Sequence, residues 1–288
     1  MKNFEEYISV FKLKGKDTED FLQRITTNDL RNLGSKDYKR SIFLNEKGKI
    51  VDFVTILKLD TDFTLITTSG NEKNLMEHLK KYIIMEDISI NVESVKKQTL
   101  ISDDYCDFNE IKDFEIIEGN YYFFDKYAFR KIIALIYNND SIFLKSLYAK
   151  CDELNKDSFL NFAIDKAYVF SDNELNENIN PLECNLKEFI SFNKGCYIGQ
   201  EVIARLDSQD KVPKVLVKII TDFEISKGDK IYSNISGSET ECGFISSAAK
   251  SDVNFKGFGF VRDINFNNNF DYYINKNNNN IISINKLT

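Results

Sequence analysis

The sequence predicts an α+β protein in which helices cover one face of an antiparallel sheet, followed by a small antiparallel barrel. In the first part of the chain, strand-like runs and hairpins alternate with amphipathic helical segments. Beyond Pro213 the apolar runs are short, strand-like and separated by Gly and Asn turns. The 288 residues, 42% of them hydrophobic, are enough to bury a sizeable core.

The first helix is predicted from Asp17 to Ile25. Asp17 or Thr18 can cap it, acidic residues fill its first turn, and Phe21, Leu22 and Ile25 form an apolar stripe. It runs into a cluster of short polar residues at 26–30, which favours a turn. Chemistry alone allows Asn28 and Asp29 to be a helix terminus and leaves a functional role open.

A hairpin and a second helix come next. Residues 41–44 and 50–57 are typical of two strands joined by the turn at 45–48, and 63–68 adds a third strand. Leu75 and Leu79 lie at helical spacing, and 88–92 alternates like a strand. Asp52 is expected to be a solvent-facing residue on a half-buried strand.

The next part of the chain is rich in aromatic strands. Residues 98–137 include the run at 121–124, which is typical of a core or of a pocket for a planar ligand. Residues 141–150 and 157–166 are predicted to be helical, and 172–180 forms a polar loop.

The segment at 194–205 reads Lys-Gly-Cys-Tyr-Ile-Gly-Gln-Glu-Val-Ile-Ala-Arg. Its two glycines predict a sharp loop, and a helix begins after Gly199, with Glu201 and Arg205 able to pair one turn apart. Cys196 lies just before that helix and two residues from Lys194, and both features favour a thiolate. The alternative is a small buried hydrophobic cysteine.

A boundary is predicted after this helix, where the charged residues 207–211 precede Pro213. We therefore expect one region at 1–210 and a barrel at 211–288. The barrel strands are predicted at 214–220, 230–232, 242–247, 258–262, 272–274 and 281–284.

Composition excludes several classes of function. The net charge of −7 argues against broad binding of nucleic acid or anionic membranes, although it allows a local basic pocket for an anionic ligand. No apolar run approaches the roughly 20 residues that span a bilayer, and the N-terminus lacks the pattern of a signal peptide. We therefore expect a cytoplasmic protein without nucleic-acid or membrane partners.

Metal and disulfide frameworks are also excluded by the cysteine pattern. There is no Cys-x-x-Cys, and the single histidine, His78, is expected to be structural. The five cysteines are Cys106, Cys151, Cys184, Cys196 and Cys242.

The segment at 194–205, preceded by Pro181-Leu182-Glu183, resembles the signature of the YgfZ-type folate-binding proteins. These proteins are relatives of the aminomethyltransferase (T-protein) of glycine cleavage. Residues 243–248 and 259–262 resemble later blocks of the same family. The resemblance implies a three-part cloverleaf around a central channel for tetrahydrofolate, with two interleaved α+β subdomains in 1–210 and a C-terminal barrel.

The resemblance also implies roles for particular residues. Cys196 would present its sulfur to the channel, and Asn28 would lie in a Thr-Asn-Asp turn that faces the folate. Asp52 matches the first acid of the T-protein Gly-Gly-x-x-Asp-Asp segment, whereas Phe53 takes the place of the second acid, which lies against the reactive end of the folate. In T-proteins a glutamate grips the pteridine by hydrogen bonds, and Asp165 lies closest in sequence to the equivalent position. The resemblance therefore implies that Asp165 could take the place of that glutamate.

Four residues of the motif complete the predicted folate site. Arg205 or Lys194 would supply a cation for the anionic glutamate tail. Tyr197 and Gln200 are expected to contact the ligand.

The resemblance predicts a folate-binding accessory protein that supports assembly or repair of iron-sulfur enzymes, including radical enzymes that modify tRNA. Its partners would be folate and iron-sulfur enzymes or cluster-assembly proteins, and Cys196 would be the functional thiol. One alternative is a true aminomethyltransferase, which Phe53 and the Lys-Gly-Cys-Tyr motif disfavour. The other is a scaffold whose folate channel is vestigial. Whether the protein is an enzyme stays open.

Overall fold

The computed structural model describes residues 1–102, 111, 113–235, 238–262, 271–274 and 281–287. Cys106 lies outside these residues. The structure contains a nine-stranded sheet and a closed six-stranded barrel, joined by helices and loops. The predicted α+β class, with an antiparallel sheet followed by a small barrel, is confirmed.

The large sheet has the strand order β2-β3-β4-β1-β5-β8-β7-β6. Its neighbours pair antiparallel, except that β9 pairs parallel with β1. All thirteen residues of β1 pair with β5, and this long central pair joins the two halves of the sheet. The strands are β1 Lys2–Lys14, β2 Asp37–Leu44, β3 Ile50–Leu59, β4 Asp62–Ile66, β5 Ser89–Ile101, β6 Phe114–Ile117, β7 Asn120–Asp125, β8 Lys131–Ile136 and β9 Asp152–Glu153.

Helices cover one face of each half of the sheet. The α-helices are α1 Thr18–Ile25, α2 Glu72–Tyr82, α3 Ile142–Tyr148, α4 Lys156–Asp165 and α5 Gln200–Gln209. In α1 the predicted apolar stripe of Phe21, Leu22 and Ile25 is buried against β1, β3 and β4. Asp17 occupies the N-cap position, but its carboxylate accepts from the backbone nitrogen of Asp87 instead of capping α1.

The sheet curls until strands near its opposite edges meet. The hydroxyl of Tyr38 in β2 donates to the carbonyl oxygen of Phe124 in β7. Two residues further along β2 and one residue further along β7, the guanidinium of Arg40 pairs with the carboxylate of Asp125. The face without helices therefore becomes the inside of a curve.

The barrel closes in the order β10-β13-β12-β11-β14-β15. Its strands are β10 Lys214–Thr221, β11 Lys230–Ile235, β12 Ser238–Lys250, β13 Phe255–Arg262, β14 Tyr272–Ile274 and β15 Ile281–Lys286. Strands β12 and β13 approach so closely that a Cβ atom at Gly243 would lie 2.2 Å from the carbonyl oxygen of Phe260. A side chain there would separate the strands.

The segment between α4 and the barrel packs against both the sheet and the barrel. Two short 3₁₀ helices, Pro181–Cys184 and Lys187–Phe189, lead into the motif loop and α5. One buried cluster unites Leu44 of β2, Ile203 of α5 and Phe258 of β13. Within the described residues, no helix has the length and apolar character needed to cross a membrane.

Candidate ligand site

The motif loop, residues 194–199, is anchored by Lys194. Its ammonium group donates to the carbonyl oxygens of Thr26 and Asn28, both at 2.7 Å, and the residue is buried. Burial lowers the pKa of Lys194 to about 8. Two of the three ammonium donors therefore tie the loop to the end of α1, and Lys194 does not line the cavity described below.

Glycines fit the loop against the β2–β3 hairpin. Gly199 has a φ of +80°, and a Cβ atom there would lie 2.7 Å from the carbonyl oxygen of Asn45. On the hairpin side, Gly48 has a φ of +66°, and its Cβ would lie 3.0 Å from that of Val202. Only glycine meets both the left-handed backbone and the close approach at residue 199.

Cys196 faces solvent between two inward-facing residues, Lys194 and Tyr197. Tyr197 is buried, which raises its pKa to about 12, and its backbone nitrogen donates to Oε1 of Gln200 at 3.3 Å. Cys196 is thus not a buried hydrophobic residue, and it does not line the cavity described below. The ring of Tyr197 packs in the buried cluster that also contains Ile203, and the amide oxygen of Gln200 is held by the loop backbone.

Arg205 lies on the exposed side of α5. Within the described residues it makes no ion pair, so the pairing expected with Glu201 is not formed. Ile203, two residues earlier, is the buried residue that holds α5 to the core. The structure therefore does not bring Arg205 to the cavity described below.

Asn28 shapes the turn after α1. Its amide nitrogen donates to the carbonyl oxygen of Arg40 at 2.8 Å, and its amide oxygen accepts from the backbone nitrogen of Asp29 at 2.9 Å. The backbone nitrogen of Asn28 donates to the hydroxyl of Ser41 at 2.9 Å. Both ends of the side chain hold backbone groups, so its geometry is that of a turn-forming residue beside the strand that carries Arg40.

Asp52 is completely buried, so its expected solvent-facing position is wrong. Its Oδ1 accepts from the backbone nitrogens of Phe53 at 2.8 Å and Thr68 at 3.2 Å, and from the amide of Asn71 at 3.3 Å. Its Oδ2 has no partner among the described residues. Burial raises the pKa of Asp52 to about 7. Asp52 does not line the cavity, whereas its neighbour Phe53 does.

Asp165 lies at the exposed end of α4. Its carboxylate accepts from the ammonium groups of Lys218 at 2.8 Å and Lys256 at 2.7 Å, which ties α4 to the barrel. Burial alone would raise the pKa of Asp165, but the two lysines lower it below its ordinary value. Both oxygens of Asp165 are therefore directed at the barrel, and Asp165 does not line the cavity described below.

The cavity lies inside the curve of the sheet and has a volume of about 30 Å³. Its walls combine aromatic rings, aliphatic side chains, three threonines and two cations. The lining residues are Arg40, Phe53, Thr55, Ile66, Thr67, Thr68, Lys97, Phe123, Ile133, Tyr168, Val169, Phe170 and Leu175. Such a mixture of aromatic walls with a few polar groups is typical of a small-molecule site.

Arg40 is the better fixed of the two cations. Its Nη2 atom pairs with Asp125, and its guanidinium carbon lies 4.9 Å from the ring centre of Phe53 and 5.1 Å from that of Tyr127. Burial alone would lower the pKa of Arg40, but Asp125 raises it above its ordinary value. The guanidinium is therefore charged and its plane is held by rings.

A second group of charges adjoins the first. Lys97 pairs with Glu6 at 2.5 Å, and this carboxylate raises the pKa of Lys97 although burial opposes it. Lys131, fully buried behind the cavity, lies 3.1 Å from Asp125, and burial lowers its pKa to about 7. The polar end of the cavity is therefore cationic, with its acids set back behind the cations.

The sequence indicated part of this site and missed the rest. The aromatic run at 121–124 contributes Phe123 to the lining. The sequence also singled out the Asp52–Phe53 segment, and Phe53 in β3 lines the cavity. Arg40, Lys97, Tyr168 and Phe170 were missed. The one available signal for Arg40 was its place on the strand before the hairpin, next to the Asn28 turn.

The fold is an α+β architecture shared with aminomethyltransferases, with a cavity inside the curve of the sheet. Residues 6–102 match the family model described as the GCVT N-terminal domain. The solved structure of aminomethyltransferase T from Bartonella henselae superposes with a TM-score of 0.79, at 14% identity, over 98% of this chain and 84% of that one.

Curated relatives agree with this architecture. The chain is 27% identical over 264 residues to an aminomethyltransferase of Aquifex aeolicus, which covers 84% of this chain and 69% of the relative. It is 25% identical over 237 residues to one of Thermoanaerobacter pseudethanolicus, covering 71% of this chain and 62% of the relative. It is 26% identical over 217 residues to the tRNA-modifying protein YgfZ of Buchnera aphidicola, covering 70% of this chain and 67% of the relative.

The comparisons together support a YgfZ-type relative of the aminomethyltransferase (GcvT) family. The chain spans about two thirds of the length of these curated relatives. Their activities are therefore proposed for this chain and not assigned to it.

Proposed function

We propose that the protein is a folate-binding accessory factor that supports iron-sulfur enzymes, including those that modify tRNA, and that it transfers no aminomethyl group. The similarity to aminomethyltransferases and to YgfZ carries the folate-binding part of this proposal, and the composition of the cavity wall argues against aminomethyl transfer. Phe53, Arg40 and Lys97 line the cavity, and no Asp or Glu does so among the described residues.

The cavity chemistry opposes aminomethyl transfer. Positive charge develops on the carbon that is transferred, and an acid stabilises such charge where a phenyl ring does not. Phe53 occupies the position that the resemblance assigns to this acid, and Asp52 is buried away from the cavity. Arg40 and Lys97 would add repulsion to a developing cation.

The lining residues fit only one half of tetrahydrofolate. Aromatic walls suit its rings, and Arg40 and Lys97 suit the carboxylates of its tail. The pterin ring, however, carries N–H donors along one edge, and no carboxylate of the described lining is there to accept from them. The cavity therefore does not fit the pterin edge, and we assign no chemical step to a bound folate.

The accessory role is supported by the relative named tRNA-modifying protein YgfZ and by the exposure of Cys196. An exposed thiol is open to a partner protein or to a cluster in transit. Among the described residues, no three Asp, Glu, His or Cys side chains come together as a metal site. A cluster held through Cys196 would thus need ligands from the partner.

Ligand binding is tested by titrating the purified chain anaerobically with tetrahydrofolate and measuring its melting temperature. A rise in melting temperature is expected, because a ligand that binds only the folded state stabilises it. No shift at millimolar tetrahydrofolate would contradict folate binding and favour a vestigial channel.

The accessory role is tested in a strain that lacks the protein. Wild type should restore the activity of an iron-sulfur enzyme that modifies tRNA, whereas Cys196→Ser should fold normally and fail to restore it. Full rescue by Cys196→Ser would remove the thiol from the proposal. Formation of methylene-tetrahydrofolate from an aminomethylated lipoyl carrier would instead favour the aminomethyltransferase alternative.

A further inference from the structure

The cavity inside the curve of the sheet limits the size of its occupant. Its volume of about 30 Å³ is room for one or two water-sized occupants, because a single water needs roughly 10–15 Å³. A monatomic anion such as chloride is only slightly larger than water and fits this space. A ligand that carries rings would have to enlarge the cavity.

Arg40 lines the cavity with donors that the protein does not use. Its Nη2 atom pairs with Asp125, whereas Nε and Nη1 make no hydrogen bond within the described part of the chain. The guanidinium carbon lies 4.9 Å from the ring centre of Phe53 and 5.1 Å from that of Tyr127, so the rings fix the orientation of the group. The remaining donors need an acceptor.

Lys97 brings a second cation to the cavity from β5. Among the described residues its ammonium group pairs only with Glu6, at 2.5 Å, so two of its three donors are unused. Lys97 is only 9% exposed, and its charge therefore acts in a poorly screened environment.

The buried charges around the cavity do not balance. Arg40 and Lys131 share the carboxylate of Asp125, with Lys131 at 3.1 Å, and Lys97 has that of Glu6. Three cations therefore face two carboxylates when Lys131 is protonated. Burial, together with the charges of Arg40 and Lys97, lowers the pKa of Lys131 to about 7, as expected where positive charge is in excess. A buried excess charge is costly unless it is paired.

The two carboxylates of this network stand back from the cavity. Neither Asp125 nor Glu6 lines it, and no other Asp or Glu of the described chain does so. An anion inside the cavity would thus meet two cations without facing a carboxylate. A water molecule there would accept from the same donors but would supply no charge.

We propose that the cavity binds a single small inorganic anion of the halide class, held between Arg40 and Lys97. The ion balances the charge of the buried network and accepts from donors that the protein leaves unused. This site goes beyond the proposed function and does not rest on it, because it depends only on the charge and the size of the cavity.

Melting temperatures of the full chain in sodium chloride and in sodium gluconate test the site. The comparison is made at equal ionic strength, so that general screening is the same, and at pH 6, below the pKa of Lys131. Gluconate is too large for the cavity. Chloride should therefore raise the melting temperature above that in gluconate, and the rise should saturate, because the ion binds only the folded state.

Anomalous diffraction from crystals grown in sodium bromide locates the ion. A bromide peak between Arg40 and Lys97 supports the site. Ordered water in the cavity, with bromide found at the protein surface as an adventitious ion only, overturns it.

Two substitutions with opposite expected effects test the charge argument. Lys97→Gln removes a cation and should weaken chloride binding about tenfold or more, whereas Glu6→Gln removes an acid outside the cavity and should tighten it about threefold or more. Glu5→Gln is the matched control, because Glu5 is the neighbour of Glu6 in β1 but pairs with Lys96 and should leave chloride binding unchanged.

The direction of these changes distinguishes the site from a general loss of packing, which would weaken binding in both variants. Circular dichroism identifies any variant that fails to fold, and if Lys97→Gln fails, Glu6→Gln carries the test. Equal melting temperatures of wild type in chloride and gluconate, or weaker chloride binding by Glu6→Gln, overturn the inference. Failure of tetrahydrofolate to bind would remove the proposed function and leave the anion site standing.

Discussion

Asp52 shows how much a single side chain can depend on its surroundings. A carboxyl group at the start of a strand is ordinarily exposed and charged, but the hairpin places this one where none of it contacts water. Three hydrogen-bond donors converge on Oδ1 and none on Oδ2 among the described residues. Desolvation outweighs those three bonds and raises the pKa of Asp52 to about 7.

The stability of the protein should therefore fall as the pH rises through this range. The folded-state pKa of about 7 lies above the unfolded value of about 4, so the folded state binds the proton more tightly. This contribution is fully present below pH 4 and is lost as the pH approaches and passes 7. We expect Asp52→Asn to remove the loss, a difference of at most about 4 kcal/mol by pH 8.

Urea unfolding of wild type and Asp52→Asn from pH 4 to pH 8 measures this effect. Asp140→Asn is the control, since the Asp140 carboxylate is almost fully exposed. If the free energy of unfolding changes with pH in the same way for wild type and Asp52→Asn, ionisation of Asp52 does not destabilise the folded state.

Lys194 is a second buried ionisable group, and its ammonium donates to two carbonyl oxygens although burial lowers its pKa. We expect Lys194→Met to destabilise the protein by about 2–3 kcal/mol, because the carbonyl oxygens of Thr26 and Asn28 each lose a charged donor. Lys187→Met, which removes an exposed pair with Asp207, should cost less than about 1 kcal/mol. Equal losses in denaturant unfolding would mean that Lys194 does not anchor the loop.

At the scale of elements, the sequence predicted what depends on local chemistry. Helix α1 and the barrel strands formed where their apolar periods indicated, since each period fits a single kind of buried face. Strand β1 was missed because charged residues interrupt its N-terminal half, and full pairing with β5 is what holds it. Arg40 and Lys97 lie 57 positions apart on strands that are not neighbours, and only the curl of the sheet brings them to one cavity.

The contact between the motif loop and the hairpin can be tested with two glycines of the same loop. Gly199→Ala should destabilise the protein by about 2 kcal/mol or more, through its left-handed backbone and its approach to Asn45. Gly195→Ala should be neutral or slightly stabilising, because a Cβ atom there meets nothing within 4 Å. Similar melting temperatures for the two variants would contradict close docking of the loop on the hairpin.

At the scale of the whole molecule, the sheet and the barrel share a core. One buried cluster contains Leu44 and Ile50 of the sheet, Ile203 of α5, and Phe258 and Phe260 of the barrel. Asp165 adds ion pairs from α4 to β10 and β13. We propose residues 1–210 and 211–288 as two units of architecture, but the shared cluster makes them a single unit of folding.

This shared core predicts one cooperative unfolding transition. Phe258→Ala, although located in the barrel, should lower the stability of the sheet and the barrel together by about 3–5 kcal/mol. Hydrogen–deuterium exchange at increasing urea should therefore give one midpoint for peptides from β1, β5, β10 and β13, and the substitution should shift them all equally. Val253→Ala, at an exposed barrel position, should shift none. If the barrel peptides alone lose protection in Phe258→Ala, the two parts fold independently, and the cavity in the sheet does not depend on the barrel for its shape.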